Sequence, residues 1–291
     1  MQIACHLGAP CTDNDALLWS LRRDDEALAK DGICVPRPRR FRRQVGEVTT
    51  RLRGSRLDST HQDQLVKFIT SGADTQRLVL SDHRFICMPS RIFFDGGFYT
   101  KAGYKTAWLR EAFADHEVSF FLAIRNPAGF LSDLLPACEA HTYQTLLNGA
   151  DPMKIRWSEV VERIRADNPS APLTVWCHED APLIWPQILR AVAGANPAQA
   201  LSGSHELANG LMDEDGAQKL EAHLAAHPPE TDAQRSVAIS EHLEKYARED
   251  AMEDEIDLPG WTEDVVDQIT ADYDADVTRI REIHGVTLLR P

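Results

Sequence analysis

Apolar runs and helically spaced apolar positions alternate along the chain. Gln2–Leu7, Arg77–Ser81, Glu117–Ile124 and Pro172–Cys177 are short, nearly continuous apolar runs, the pattern of strands buried on both faces; Glu117–Ile124 is the strongest of them. Between them lie segments of helical period. The first runs from Asp15 to Lys30, with Leu17, Leu21 and Leu28 on one face and Asp31-Gly32 as the stop. Val35-Pro36-Arg37-Pro38 reads as an extended linker. Ser59–Ser71 is a second helix, with Ser59 and Gln62 at capping-box spacing and Gly72 at its end. Phe94–Gly97 is a turn, and Tyr104, Trp108, Leu109, Ala112 and Phe113 mark the next helix. Phe130, Leu131 and Leu134 follow on a helix that Pro136 should end. Trp157, Val160, Val161 and Ile164 mark another, stopped by Asn168-Pro169, and Leu183–Ala193 a further one, stopped by Gly194. Strands separated by helices predict an α/β fold whose mainly parallel sheet is flanked by helices in three layers. Three long helical segments follow at Asp215–His227, Ala233–Arg248 and Thr262–Ile283, and Val286–Leu289 reads as a short terminal strand.

Charge divides the chain. Of 291 residues, 43% are hydrophobic, which is enough for a sizeable core, and the net charge is −14. From residue 198 onward, 7 Lys and Arg stand against 22 Asp and Glu, a balance of −15; residues 1–197 carry 24 against 23. We therefore expect an α/β core over 1–197 and an acidic helical segment over 198–291 packed on it. An acidic chain disfavours nucleic acid as a partner. No apolar run is long enough for a membrane span, and the opening residues do not read as a signal peptide. The six cysteines are scattered without a Cys-x-x-Cys pair, as expected of a reduced, cytoplasmic protein. Eight arginines between Arg37 and Arg56 face only Glu47, and form either a surface for an acidic small-molecule substrate or a solvated loop that pairs with the acidic C-terminal third.

The stretch Gln2–Leu18 carries the most chemistry. An apolar run meets a Gly/Pro turn, His6-Leu7-Gly8-Ala9-Pro10-Cys11-Thr12-Asp13, which leads into a helix. Unpaired N–H groups and the helix dipole favour an anion there, and Thr12 with Asp15 has capping-box-like spacing. With its His6, Gly8, Pro10 and Thr12, this stretch resembles the 5′-phosphosulfate loop of bacterial sulfotransferases, a P-loop family. Cys11 stands where those proteins have lysine, Asp13 where they have a second glycine, and Asn14 and Asp15 where they have two threonines. Arg125-Asn126-Pro127 resembles the family's Arg at the end of its third strand. A Ser about eight residues later completes the family's 3′-phosphate site; here Ser132 lies seven residues on and Asp133 eight. Ser81-Asp82-His83 stands where the family's second strand ends, and Cys177-His178-Glu179-Asp180 is similar to its Tyr-Glu-Asp strand end.

The resemblance implies a sulfotransferase-like P-loop fold over residues 2–195. It further implies a donor, 3′-phosphoadenosine 5′-phosphosulfate, held by Gly8, Ala9, Pro10, Cys11, Thr12, Asp13, Asn14, Arg125 and Ser132. The sulfuryl group would pass to a hydroxyl or amine of a small acceptor, with His83 as first candidate for the base, since imidazole titrates near neutrality. His6 and His178 also follow strands. Arg125 alternatively caps a strand end, and Glu179-Asp180 alternatively stabilises a helix N-terminus. Cys11 is placed for a lowered thiol pKa, which Asp13 and Asp15 oppose. His223 and His227 are one turn apart, and Cys138 and His141 are similarly spaced, but neither pair shows a third metal ligand. The alternative to a transferase is a non-catalytic descendant of the fold acting as a binding or scaffold protein; the altered loop and acidic helices favour it. An NTP hydrolase is disfavoured because no Gly-Lys-Ser/Thr triplet is present. The sequence leaves a homo-oligomer open.

Overall fold

The structure is a computed structural model of the chain and describes residues 1–138, 142–196, 199–252 and 256–291. In chain order its first elements are β1 (Gln2–His6), α1 (Ala16–Arg22), α2 (Asp25–Lys30), β2 (Ile33–Cys34), α3 (Pro38–Leu52), α4 (Ser59–Thr70) and β3 (Arg77–Ser81). Then come α5 (Ala102–Glu111), β4 (Glu117–Ile124), α6 (Pro127–Ala137), α7 (Tyr143–Leu147), α8 (Trp157–Asp167), β5 (Leu173–Cys177) and α9 (Ala181–Ala193). The last are α10 (Glu206–Leu211), α11 (Glu214–Ala226), α12 (Asp232–Tyr246), α13 (Glu249–Met252), α14 (Glu263–Glu282) and β6 (Val286–Leu289).

The six strands form one parallel sheet in the order β2-β3-β1-β4-β5-β6. Both faces are covered, so the central strands are apolar throughout. Alternate residues serve opposite faces. Ile3, Cys5, Leu80, Phe120 and Leu122 join the core beneath α3, α4, α5, α6, α8 and α14. Ala4, Val79, Phe121, Ala123 and Trp176 join the core beneath α1, α2 and α9. A smaller core of Ala208, Met212, Leu220, Leu224, Ile239 and Leu243 holds α10, α11 and α12 together. The chain turns to one side of β1 for β2 and β3 and to the other for β4, so the sheet reverses direction at β1. In open α/β sheets, ligands bind at such a reversal, outside the carboxyl ends of the strands.

Several expectations need correction. The helix expected over 15–30 is two helices, broken at Arg23 and Asp24, because α1 packs under α9 while α2 leads to the edge strand. The arginine-rich segment is not a loop. Pro38 opens α3 at its N-terminal position, and Phe41 and Val45, one turn apart, are buried. Among the described residues its arginines make no ion pair with the acidic C-terminal third. Arg42 pairs with Asp82, Arg43 with Glu47 and Arg56 with Asp115, and Arg40 donates to the Phe68 carbonyl. Asp58, not Ser59, caps α4 through the His61 N–H, and Gln62 is buried with its amide on the Leu57 carbonyl. Thr12 and Asp15 make no capping box: Thr12 Oγ1 donates to the Ala9 carbonyl, and Asp15 carries no capping hydrogen bond. By contrast, Val286–Leu289 is a strand as expected, β6, which pairs with β5, and α14 of the C-terminal segment packs on α6 and α8. The expected domain boundary falls at residues 197 and 198, outside the described residues. No helix among the described residues is long and apolar enough to cross a membrane.

Candidate functional site

Residues from four strand ends converge beside β1. β1 ends at His6, whose backbone register is opposite Ser81 of β3 and Phe121 of β4. The loop then passes Gly8 at φ 54°, a left-handed turn that brings the backbone close to a neighbour. A Cβ on Gly8 would lie 3.3 Å from His83 Cβ and 3.7 Å from His6 Cε1. Cys11 (φ 61°), Asn14 (φ 47°) and Asp15 (φ 67°) are also left-handed, an unusual density of non-glycine residues in that region. The expected site therefore has a loop with a sharply folded backbone, closed by His83 from the end of β3.

His6 lies beneath the loop with 2% of its surface exposed. Its Nδ1 is 2.9 Å from Ser81 Oγ, and its ring stacks on Trp176 at 5.5 Å and 19°. Its Nε2 has no hydrogen-bond partner among the described residues. Burial pushes its pKa below the usual histidine value; Asp13 and Asp15 oppose the shift and His83 adds to it. Burial also lowers the pKa of the half-buried His83. Both rings are therefore neutral at physiological pH and able to accept a proton.

Carboxylates take the places expected for donor anions. Asp13 Oδ2 accepts the Leu17 N–H at 3.1 Å, occupying the N-terminus of α1. Arg125, 3% exposed at the end of β4, donates through Nη1 to the Cys11 carbonyl at 2.6 Å and to Asp133 Oδ2 at 2.5 Å. Asp133, one residue beyond the half-buried Ser132, thus meets the guanidinium where the sulfotransferase-like pattern has serine. Trp157 Nε1 donates to the Arg125 carbonyl at 2.8 Å and fixes this strand end from the core. Cys11 is a thiol and not a thiolate: burial raises its pKa to about 11, Asp133 adds to the rise, and Arg125 opposes it.

The neighbouring strand end is also internally tied. Glu179 accepts from the Asn126 N–H at 2.7 Å and from the Tyr273 hydroxyl at 3.0 Å, joining the end of β4 to α14. Asp82 is held in two hydrogen bonds by Arg42, at 2.5 and 3.1 Å, and accepts the Arg84 N–H at 3.0 Å. That pairing joins α3 to β3 across 40 residues, and neither partner's sequence neighbourhood signals it.

No family model, curated protein or solved structure matches the chain. The geometry alone therefore bears on function. It brings Gly8, Cys11, Thr12, Asp13 and Arg125 together at one strand end, with His6 and His83 against the loop. The His223 ring lies 5.0 Å from both His227 and His242, yet no group of three metal-ligating side chains is arranged to hold an ion among the described residues. His141, considered with Cys138, lies outside the described residues.

Proposed function

We propose that this chain is a binding protein on a sulfotransferase-like architecture and does not transfer sulfuryl groups. The observation that supports this most strongly is the pair of carboxylates at the loop, Asp13 on the Leu17 N–H and Asp133 on Arg125. A phosphate brought within about 4 Å of either carboxylate meets repulsion of about 4 kcal/mol at an effective dielectric of about 20. Cys11, a neutral thiol in the position of the family's lysine, supplies nothing to offset it. The residues present therefore do not fit 3′-phosphoadenosine 5′-phosphosulfate, and the internal pairs make the loop a structural joint between β1 and β4.

A second reading keeps the transferase, with Arg125 on the donor's 3′-phosphate and His83 as base. It is favoured by the burial of Arg125 at a strand end and its hydrogen bond to the loop carbonyl. The two readings separate experimentally. The full chain is treated with a maleimide in the presence of adenosine 3′,5′-bisphosphate, and alkylation of Cys11 is followed by peptide mass spectrometry. We expect no protection of Cys11. Protection that disappears in Arg125→Lys would establish donor binding and overturn the claim that the loop does not fit the donor; sulfuryl transfer to an acceptor in the presence of the donor would then overturn the binding-protein reading.

A further inference from the structure

A second concave site lies between α3, α5 and the segment following β3. It is a cavity of about 420 Å³, within the usual range for small-molecule sites. Its walls carry five cations, Arg42, Arg84, Arg91, Lys101 and Lys105, and one acid, Asp82. Asp82 is already held by Arg42 and by the Arg84 N–H, so it neutralises only one of the five. Arg84, Arg91, Lys101 and Lys105 make no ion pair among the described residues. Asp95 acts on Tyr104 from outside the cavity lining. In a chain of net charge −14, this lining sets five cations against the single carboxylate of Asp82.

The lysines are held in place. Lys101 Nζ sits 3.4 Å from the centre of the Phe94 ring, and Lys105 Nζ 4.4 Å from that of Trp108. They lie one turn apart at the start of α5, whose first turn contains no acid and whose N-cap is Lys101 itself. Like charges one turn apart repel, and cations at the positive end of a helix oppose its dipole. Burial lowers the Lys105 pKa, and Lys101 adds to that shift. Inside the cavity the half-buried Cys87 thiol feels the charges of Lys101, Lys105 and Arg91 together. The chain thus concentrates positive charge around one point, at a cost in like-charge repulsion. An anion there would relieve the repulsion and complete the helix start.

We propose that this cavity binds a small molecule carrying two or more phosphate or sulfate groups, with Lys101, Lys105 and Arg91 contacting the anions. The inference does not depend on the state of the β1 loop, from which it is a separate site. The probe is pyrophosphate, titrated into the full chain by calorimetry, with orthophosphate for comparison. Binding should be at least about tenfold tighter for pyrophosphate, because its charge reaches more than one cation. In Lys101→Gln/Lys105→Gln we expect about a tenfold loss of pyrophosphate affinity. Arg43→Gln, on α3 but outside the cavity, should leave the affinity unchanged. Pyrophosphate should slow alkylation of Cys87 and leave Cys34, which lines a different cavity, unaffected. No heat at millimolar pyrophosphate, an equal loss in Arg43→Gln, or an unprotected Cys87 would each overturn the proposal.

Discussion

The loop after β1 and the cavity beside α5 use charge in opposite ways. At the loop, Arg125 is buried and answered by Asp133 and the Cys11 carbonyl, and Asp13 answers the start of α1. At the cavity, Lys101 and Lys105 crowd the start of α5 with no acid in its first turn, and among the described residues only Arg42 of the five cations has a carboxylate partner. The loop has the shape expected of an anion site but is internally neutralised. The cavity has no recognisable motif but is left electrostatically incomplete. A backbone turn at a strand end and the charge around it are thus separate observations, and only the second distinguishes these two regions.

The comparison predicts different consequences for removing a cation from each region: loss of stability at the loop, loss of ligand affinity at the cavity. Arg125→Ala should destabilise the fold by about 3 kcal/mol in urea denaturation, because a buried guanidinium is lost from the joint between β1 and β4. The figure sits at the low end for buried pairs since the Asp133 side chain is 55% exposed. A destabilisation under about 1 kcal/mol would mean that the joint contributes little. Lys101→Gln/Lys105→Gln should instead leave stability within about 1 kcal/mol, since lost cation–π contacts offset the relieved repulsion, while weakening pyrophosphate about tenfold, equivalent to about 1.4 kcal/mol of binding free energy.

Gly8→Ala sharpens the loop side of the comparison. The left-handed φ and the 3.3 Å approach to His83 Cβ predict a loss of about 1 kcal/mol by thermal or urea unfolding. An unchanged stability would mean that His83 is not packed on the loop.

A smaller effect should appear in pH dependence. His6 is neutral in the fold because it is buried, whereas in the unfolded chain it protonates around its ordinary 6.5. Below that pH the unfolded state binds more protons, so stability falls as pH drops from 6.5 until the folded His6 itself protonates. His83 and His116 shift in the same direction. Tm should therefore decline as pH falls below 6.5, and that of His6→Gln should decline less steeply. An identical slope would remove His6 from the account.

What was legible in the sequence follows from how local each signal is. Arg77–Ser81 and Glu117–Ile124 are apolar runs bounded by polar turns, and β3 and β4 occupy just those residues. The helix stop at Gly194 is a left-handed residue at the end of α9, as its position suggests. α3 was hidden because its arginines outnumber Phe41 and Val45, the two residues that bury its inner face. β2 and α10 are too short to show a period. At the candidate site, the loop and Arg125 announce themselves by their order along the chain. The Asp133 and Asp13 pairings depend on side-chain directions that spacing does not carry. The cavity was illegible for a further reason: its cations lie between Arg42 and Lys105, and only the packing of α3 and α5 against the end of β3 brings them together.

The most direct test compares two thiols in one experiment. Cys11 marks the loop and Cys87 the cavity, and burial raises their pKa values to about 11 and about 12, so alkylation is slow enough at pH about 8.5 for protection to be timed. With pyrophosphate, we predict slowed alkylation at Cys87 and unchanged alkylation at Cys11; with adenosine 3′,5′-bisphosphate, Cys11 should again be unchanged. Protection of Cys11 by the bisphosphate, with Cys87 indifferent to pyrophosphate, would place the ligand chemistry in the loop and contradict the account.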